Sequence, residues 1–321
     1  VELRHLRYFL AVGEALNFTK AAARLRVAQP ALSRQIQGLE HEIGVNLLHR
    51  SSRGVMLTAE GKLFLEEVRE LLKQADESVE KVRALARGEY GELHIGYAPV
   101  PTTEILPPAL TAFQKAVPRV KVLLHDLSSD ELIAGLRNAT LELALMMQPI
   151  DEQTAGIEFE ILRTYSYCVA LTAAHPFARL KSIPLKKLAA EPLVGLSRKE
   201  YPESYRFIER LFRPVSVKPR IAVECDSASS LIMEVESGGI ALVTTVFKRV
   251  AGKRLLYRPL IGTTDAPPPV GIARATKGDV APAGEKFCEI LRQTSAVRSD
   301  LSQNEIEHEG KPKPNKPGII V

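Results

Sequence analysis

The segment from Ala28 to Gly44 constrains this chain more than any other part of it. Pro30 suits the first turn of a helix, where its missing N–H costs nothing, and Gly44 supplies a left-handed stop. Between them Leu32, Ile36, Leu39 and Ile43 fall at i, i+4, i+7 and i+11, which places them on one inward face. Gln29, Ser33, Arg34 and Gln37 fall on the other side, near the helix start. These side chains suit the DNA major groove: Arg pairs bidentately with guanine, Gln with adenine, and Ser with base or phosphate.

The flanking sequence fits the same reading. Leu3, Leu6, Phe9 and Leu10 recur at helical spacing. Asn17 can cap a second helix over 18–25, and its Ala21, Ala22 and Ala23 let another helix approach closely. After Gly44, two apolar runs at 45–48 and 55–57 enclose the polar, basic stretch 49–54. That predicts a hairpin with a basic tip, a wing from which Arg50 and Arg53 reach phosphate or the minor groove. A plain three-helix bundle with a solvated polar face is the competing reading.

Charge supports nucleic acid as partner. The chain carries a formal net charge of +5. In residues 1–58 the bases Arg4, Arg7, Lys20, Arg24, Arg26, Arg34, Arg50 and Arg53 oppose only Glu2, Glu14, Glu40 and Glu42. A local excess of this kind is the electrostatic footprint expected for phosphate. Aromatics make up 6% and Trp is absent, which disfavours a stacking-platform binder.

Thr58 can cap a long helix in which Phe64, Val68, Leu71, Ala75, Val79, Val82 and Leu85 alternate steps of three and four. A single apolar stripe on a charged helix calls for a partner helix and predicts a dimer, which sets half-site spacing on DNA. The alternative is that the stripe packs against its own chain. Gly88 and Gly91 mark a boundary.

Beyond it, strand signals at 93–97, 121–125 and 141–147 alternate with helix signals at 105–116 and 129–138. Further strands at 166–171, 193–196 and 240–243 follow, with helices at 204–212 and 227–236. The pattern predicts βαβ units on a parallel sheet and, over this length, two α/β lobes joined by crossovers. Ligands in such folds sit where loops leave the carboxyl ends of strands. Those loops carry Pro99, Val100, Thr102 and Thr103, then Ser129, then Ser197, Pro202 and Ser204, and then Asp226 and Ser227. Their hydroxyls and helix starts can hold a carboxylate or another anion. Each Ser or Asp also fits a simple helix cap.

Cys168, Cys225 and Cys288 are odd in number, widely spaced and form no CxxC, so neither zinc nor a disulfide framework is indicated. No GxGxxG, P-loop, GxSxG or HExxH occurs, and His94, His125 and His175 sit outside any acid or nucleophile pattern. The expectation is therefore no enzyme, no cofactor and no metal. No signal peptide or membrane-length apolar run is present, Val1 stands where an initiator would, and a cytoplasmic protein is expected. Residues 297–321 are polar and Lys/Pro-rich and read as a flexible tail.

The run 2–9, then Phe18-Thr19-Lys20-Ala21-Ala22, the run 28–36, Leu39-Glu40, Gly44, Leu47-Leu48-His49-Arg50 and the run 57–61 resemble the LysR-type transcriptional regulators. The resemblance is nearly continuous over 1–61 and continues more weakly to about residue 295. It implies a winged helix-turn-helix over 1–58, with Phe18 and Thr19 joining the DNA-binding residues, and a linker helix over 59–88. It also implies a periplasmic-binding-protein-like effector domain over 89–296, with lobe I at 89–162 and 266–296 and lobe II at 163–265. A homodimer, commonly a homotetramer, would act on promoter DNA and RNA polymerase under a small-molecule inducer. The opening is most similar to regulators of aromatic-compound breakdown that respond to benzoate, muconate or chlorocatechol. The pocket departs from them: Pro99 and Val100 stand where a hydroxyl is common, and Val243-Thr244-Thr245 replaces a frequent proline. A two-lobed binding protein without a transcriptional role is the alternative.

Overall fold

The computed structural model describes residues 1–51, 54–149, 155–199, 201–264, 266–276 and 281–308. The chain divides into two compact units, Val1–Ala86 and Arg87–Val321.

In the first unit, α1 (Leu3–Ala15), α2 (Phe18–Leu25) and α3 (Gln29–Ile43) are followed by a hairpin of β1 (Leu48–Ser51) and β2 (Gly54–Leu57), then by α4 (Ala59–Ala86). The local signals account for the boundaries. Asn17 accepts a hydrogen bond from the backbone N–H of Lys20 at 3.0 Å and starts α2. Gly44, at φ 84°, ends α3. Leu6, Phe9, Val12, Ala21, Leu32, Ile36, Leu39 and Leu47 form one core. Thr58 caps α4 by accepting from the N–H of Gly61 at 2.8 Å. Only glycine fits at position 61, because a Cβ there would lie 1.9 Å from the carbonyl oxygen of Leu47.

The apolar stripe of α4 divides, which corrects the single partner-facing seam expected from sequence. Val68 is 2% exposed and Phe64 sets its ring 5.2 Å from that of Phe9, so both belong to the core of their own chain. Leu71, Val79, Val82 and Leu85 remain exposed.

The second unit holds two sheets. Its elements run β3 (Gly91–Tyr97), α5 (Pro99–Thr102), α6 (Leu106–Ala116), β4 (Val120–Asp126), α7 (Ser129–Arg137), β5 (Leu143–Met147) and β6 (Ile157–Arg163). The chain then crosses to β7 (Tyr167–Leu171), β8 (Ile183–Pro184), α8 (Leu185–Leu188), β9 (Pro192–Leu196), α9 (Pro202–Phe212), β10 (Arg220–Cys225), α10 (Ala228–Glu236), β11 (Ala241–Thr244), α11 (Phe247–Ala251) and β12 (Leu256–Ile261). It returns through β13 (Val270–Ala275) to α12 (Pro282–His308).

Lobe I has strand order β4-β3-β5-β13-β6 and lobe II β10-β9-β11-β7-β12-β8. The sheets are mixed rather than wholly parallel as expected. β3 runs parallel to β4 and β5, but β13 pairs antiparallel with β5 and β6. In lobe II, β7 pairs antiparallel with β11 and β12. The antiparallel strands lie beside the crossovers, which bring the chain back in the opposite direction. Phe113 and Phe287 meet edge to face at 5.2 Å in the lobe I core. α12 continues to His308, so the polar segment expected to be a flexible tail begins as helix; residues 309–321 lie outside the described residues.

The three cysteines are buried and unpaired. Burial pushes the thiol of Cys168 up to about 12 and that of Cys288 up to about 11, which keeps both in the unreactive protonated form.

Candidate nucleic-acid interface and effector cleft

The helix-turn-helix places a polar face on the side of α3 that its core residues leave open. Leu32, Ile36 and Leu39 are fully buried, whereas Gln29, Pro30, Arg34 and Gln37 are exposed and Ser33 is half-buried. Among the described residues Arg34 has no ion-pair partner. Thr19 is exposed at the start of α2 and Phe18 is half-buried beside it. The wing exists as a two-stranded antiparallel hairpin with Arg50 opposite Val55. Arg53, expected at its tip, lies outside the described residues.

Arg50, expected to reach phosphate or the minor groove, is engaged within its own unit. One guanidinium nitrogen donates to the hydroxyl of Ser33 at 3.1 Å and another to the carboxylate of Glu40 at 3.1 Å. The group also lies over the ring of Phe18, 5.0 Å from its centroid. Two of its donors are thus engaged within the protein, although the residue itself stays exposed.

The expected effector residues are placed around the carboxyl ends of β3, β4, β9 and β10, and the polar groups of Thr102, Thr103, Ser197, Asp226 and Ser227 bond to nearby groups of the chain. Thr102 donates to the carbonyl of Ala98 at 2.6 Å, and Thr103 donates to that of Pro99 at 2.9 Å. Ser128, one residue before the expected Ser129, caps α7 in a capping box with Glu131. The hydroxyl of Ser197 accepts from the N–H of Lys199 at 3.3 Å. Pro202 and Ser204 form the first turn of α9. Ser227 caps α10, and Asp226 accepts from the hydroxyl of Ser230 at 2.7 Å. Those hydrogen bonds hold the carboxyl of Asp226 below its ordinary range. Pro99 opens α5, and Val100 packs against the core of lobe II.

The lobes are tied together beside this region. Glu104, 16% exposed, accepts from Arg163 at 2.8 Å and from Arg249 of lobe II at 2.7 Å. Tyr165 donates to the carbonyl of Pro101 at 3.3 Å. Burial, with the Glu104 charge adding to it, pushes the Tyr165 phenol up to about 12 and keeps it a donor.

A cavity of about 530 Å³ lies where the two lobes meet. Gln148 and Pro149 leave β5, Tyr167 opens β7, and Phe207, Arg210 and Leu211 line it from α9. Ala266, Pro267, Pro268 and Pro269 close the other side, the last accepting from the N–H of Gln148 at 2.7 Å. None of the residues expected at the effector site lines this cavity. Three consecutive prolines at 267–269 and the two arginines, Arg206 and Arg210, in the aromatic stretch 205–212 are the sequence signals that could have pointed to it.

Comparison with known proteins agrees with this geometry. Residues 3–62 match the family described as bacterial regulatory helix-turn-helix protein, lysR family. Residues 86–296 match the LysR substrate binding domain. The transcriptional regulator AlsR of Bacillus subtilis is 34% identical over 261 residues, covering 81% of this chain and 86% of the relative. BenM of Acinetobacter baylyi is 31% identical over 276 residues, covering 85% of this chain and 90% of the relative. The crystal structure of full-length CbnR complexed with its target DNA superposes with a TM-score of 0.76 at 31% identity. That match covers 92% of this chain and all of the other. The chain belongs to the LysR family of DNA-binding transcriptional regulators. Its helix-turn-helix unit rules against a two-lobed binding protein with no transcriptional role. No helix among the described residues is long and apolar enough to cross a membrane.

Proposed function

We propose that this regulator reads double-stranded promoter DNA through Gln29, Pro30, Ser33, Arg34 and Gln37, and that an aromatic or muconate-like carboxylate in the inter-lobe cavity controls it. The observation that carries the DNA reading is the division of α3 into a buried apolar face and an exposed face of base-reading side chains. The CbnR complex with its target DNA supports it. Thr19 supplies a phosphate contact beside that face, and Arg53, from the basic run between the two wing strands, is assigned another on its sequence alone.

The inducer reading rests on the cavity: Arg210 offers a cation, Gln148 an amide, and Tyr167 and Phe207 aromatic walls. Leu71, Ala75, Val79 and Val82 join two copies along α4, and pairing of two dimers gives a tetramer on DNA. Inducer binding shifts the lobes between states of different affinity and alters RNA polymerase recruitment. The protein acts in the cytoplasm, as a regulator rather than an enzyme.

A footprint on the DNA upstream of its own gene, with and without benzoate and muconate, tests both parts. Protection whose extent changes with one compound is the expected result. Protection indifferent to both discards the inducer class, and absence of protection discards the DNA-reading face.

A further inference from the structure

Glu40 lies on α3 among the core residues, with a side chain only 9% exposed. A carboxylate so withdrawn from water is tolerated only when its oxygens are fully hydrogen-bonded. One oxygen accepts from the backbone N–H groups of Leu47 and Leu48, at 2.9 and 3.0 Å, where the chain enters β1. The other accepts from Arg50, further along the same strand, at 3.1 Å.

Arg50 then reaches two more elements. It donates to Ser33, two turns before Glu40 on the same face of α3, and covers the ring of Phe18 on α2. One guanidinium therefore fastens the wing strand to both helices of the helix-turn-helix.

We propose that Arg50 and Glu40 are positioning residues for DNA recognition, a clamp that sets the wing against the recognition helix and orients the Ser33 hydroxyl. This inference rests on the DNA-reading face proposed above. A hydroxyl that accepts from Arg50 has its own proton left to donate, so Ser33 is oriented toward an acceptor on a base edge, O6 or N7 of guanine. The planar fork matters here. Lysine carries the same charge but presents a point donor that cannot serve Ser33, Glu40 and the Phe18 face together.

A clamp and a direct phosphate contact respond differently to salt. Each phosphate contact contributes about 0.9 to the slope of log affinity against log salt. The test measures binding of the full-length protein to its footprinted operator across a KCl series, for Arg50→Lys, Glu40→Gln, the double variant and Arg34→Ala. The expected result for Arg50→Lys is roughly a tenfold or greater loss of affinity with an unchanged slope, and loss of footprint protection on the wing side alone. Glu40→Gln weakens binding similarly, and the double variant is no weaker than either single one, as for residues acting as a unit.

Wild-type affinity in Arg50→Lys, or a slope lower by about one in Arg50→Gln measured in the same KCl series, overturns the clamp in favour of phosphate contact. Should Arg50→Lys fail to fold, Ser33→Ala leaves the Glu40–Arg50 pair in place. It is expected to weaken the operator at one base step only, and equal weakening at every sequence overturns the proposal. A reduced slope in Arg34→Ala with intact wing protection keeps the reading face whatever Arg50 does, so the two readings fail separately.

Discussion

The helix-turn-helix and the inter-lobe region use polar side chains in opposite ways. On α3 the helix repeat sends Leu32, Ile36 and Leu39 into the core, which leaves Gln29, Arg34 and Gln37 facing out. Around the lobes, Thr102 and Thr103 at the end of α5, and Ser128 and Ser227 at the starts of α7 and α10, bond to the backbone beside them. A polar residue on the outer face of an amphipathic helix is available because the fold itself does not use it. A short hydroxyl at a loop–helix junction is close to orphan N–H and C=O groups, which engage it first. Arg50 shows that even in the DNA-binding unit an outward-seeming cation can be held by a buried carboxylate, that of Glu40.

The strongest way to break this comparison is to remove what leaves the α3 face available. Phe9 is fully buried and meets Phe64 of α4. Phe9→Ala deletes an aromatic ring from a small core and is expected to destabilise the first unit by about 3–5 kcal/mol. Urea unfolding should show an earlier first transition and lost operator binding, with the transition of the second unit unmoved. Equal loss in both transitions would show that the two units do not unfold independently.

A smaller effect sharpens the other half. Ser227→Ala removes the hydroxyl that caps α10, accepting from the N–H of Ser230 at 3.2 Å. The expected cost is about 1 kcal/mol of stability in the second unit, measured by denaturant midpoint, with inducer affinity unchanged in calorimetry. A tenfold weaker inducer with unchanged stability would return Ser227 to the binding site.

The same physics explains how much was legible in the sequence. The first unit was readable in order because its signals are local: the Asn17 cap, Pro30 in the first turn, the Gly44 stop, and a 3.6-residue repeat. Local signals do not report partners across space. The repeat of α4 appeared as one stripe, although its first part, Phe64 and Val68, packs against α1. Glu40 appeared as one of four acids, and nothing nearby in sequence showed that it closes on Leu47, Leu48 and Arg50. In the second unit, β13 enters between β5 and β6 from more than a hundred residues away, a pairing that no spacing reveals. The inter-lobe cavity depends on that return, since Ala266 and the three prolines lead into β13. Cavity-lining residues brought together by long-range closure, such as Arg210 and Gln148, carry no local signal, whereas the exposed face of α3 is set by one helix and is legible in its repeat.

The smallest effect concerns long-range closure itself. Arg292 on α12 makes two hydrogen bonds to Glu160 on β6, at 2.7 and 2.8 Å, fastening the last helix to the edge strand beside β13. The Arg292 guanidinium holds the Glu160 carboxyl below its ordinary value of 4.5. A depressed carboxylate contributes stability above its unfolded value and loses it as pH falls through the folded one. Stability of the second unit should therefore decline as pH drops below about 4.5. Both side chains are a third or more exposed, so water screens the pair and its contribution is below about 1 kcal/mol. Arg292→Met should flatten that part of the pH–stability curve while leaving DNA affinity at neutral pH unchanged. An unchanged acid limb in the variant would assign the pH dependence to other carboxylates of the unit and leave α12 held by the lobe I core, where Phe287 meets Phe113 of α6 and Leu162 of β6 packs against the same cluster.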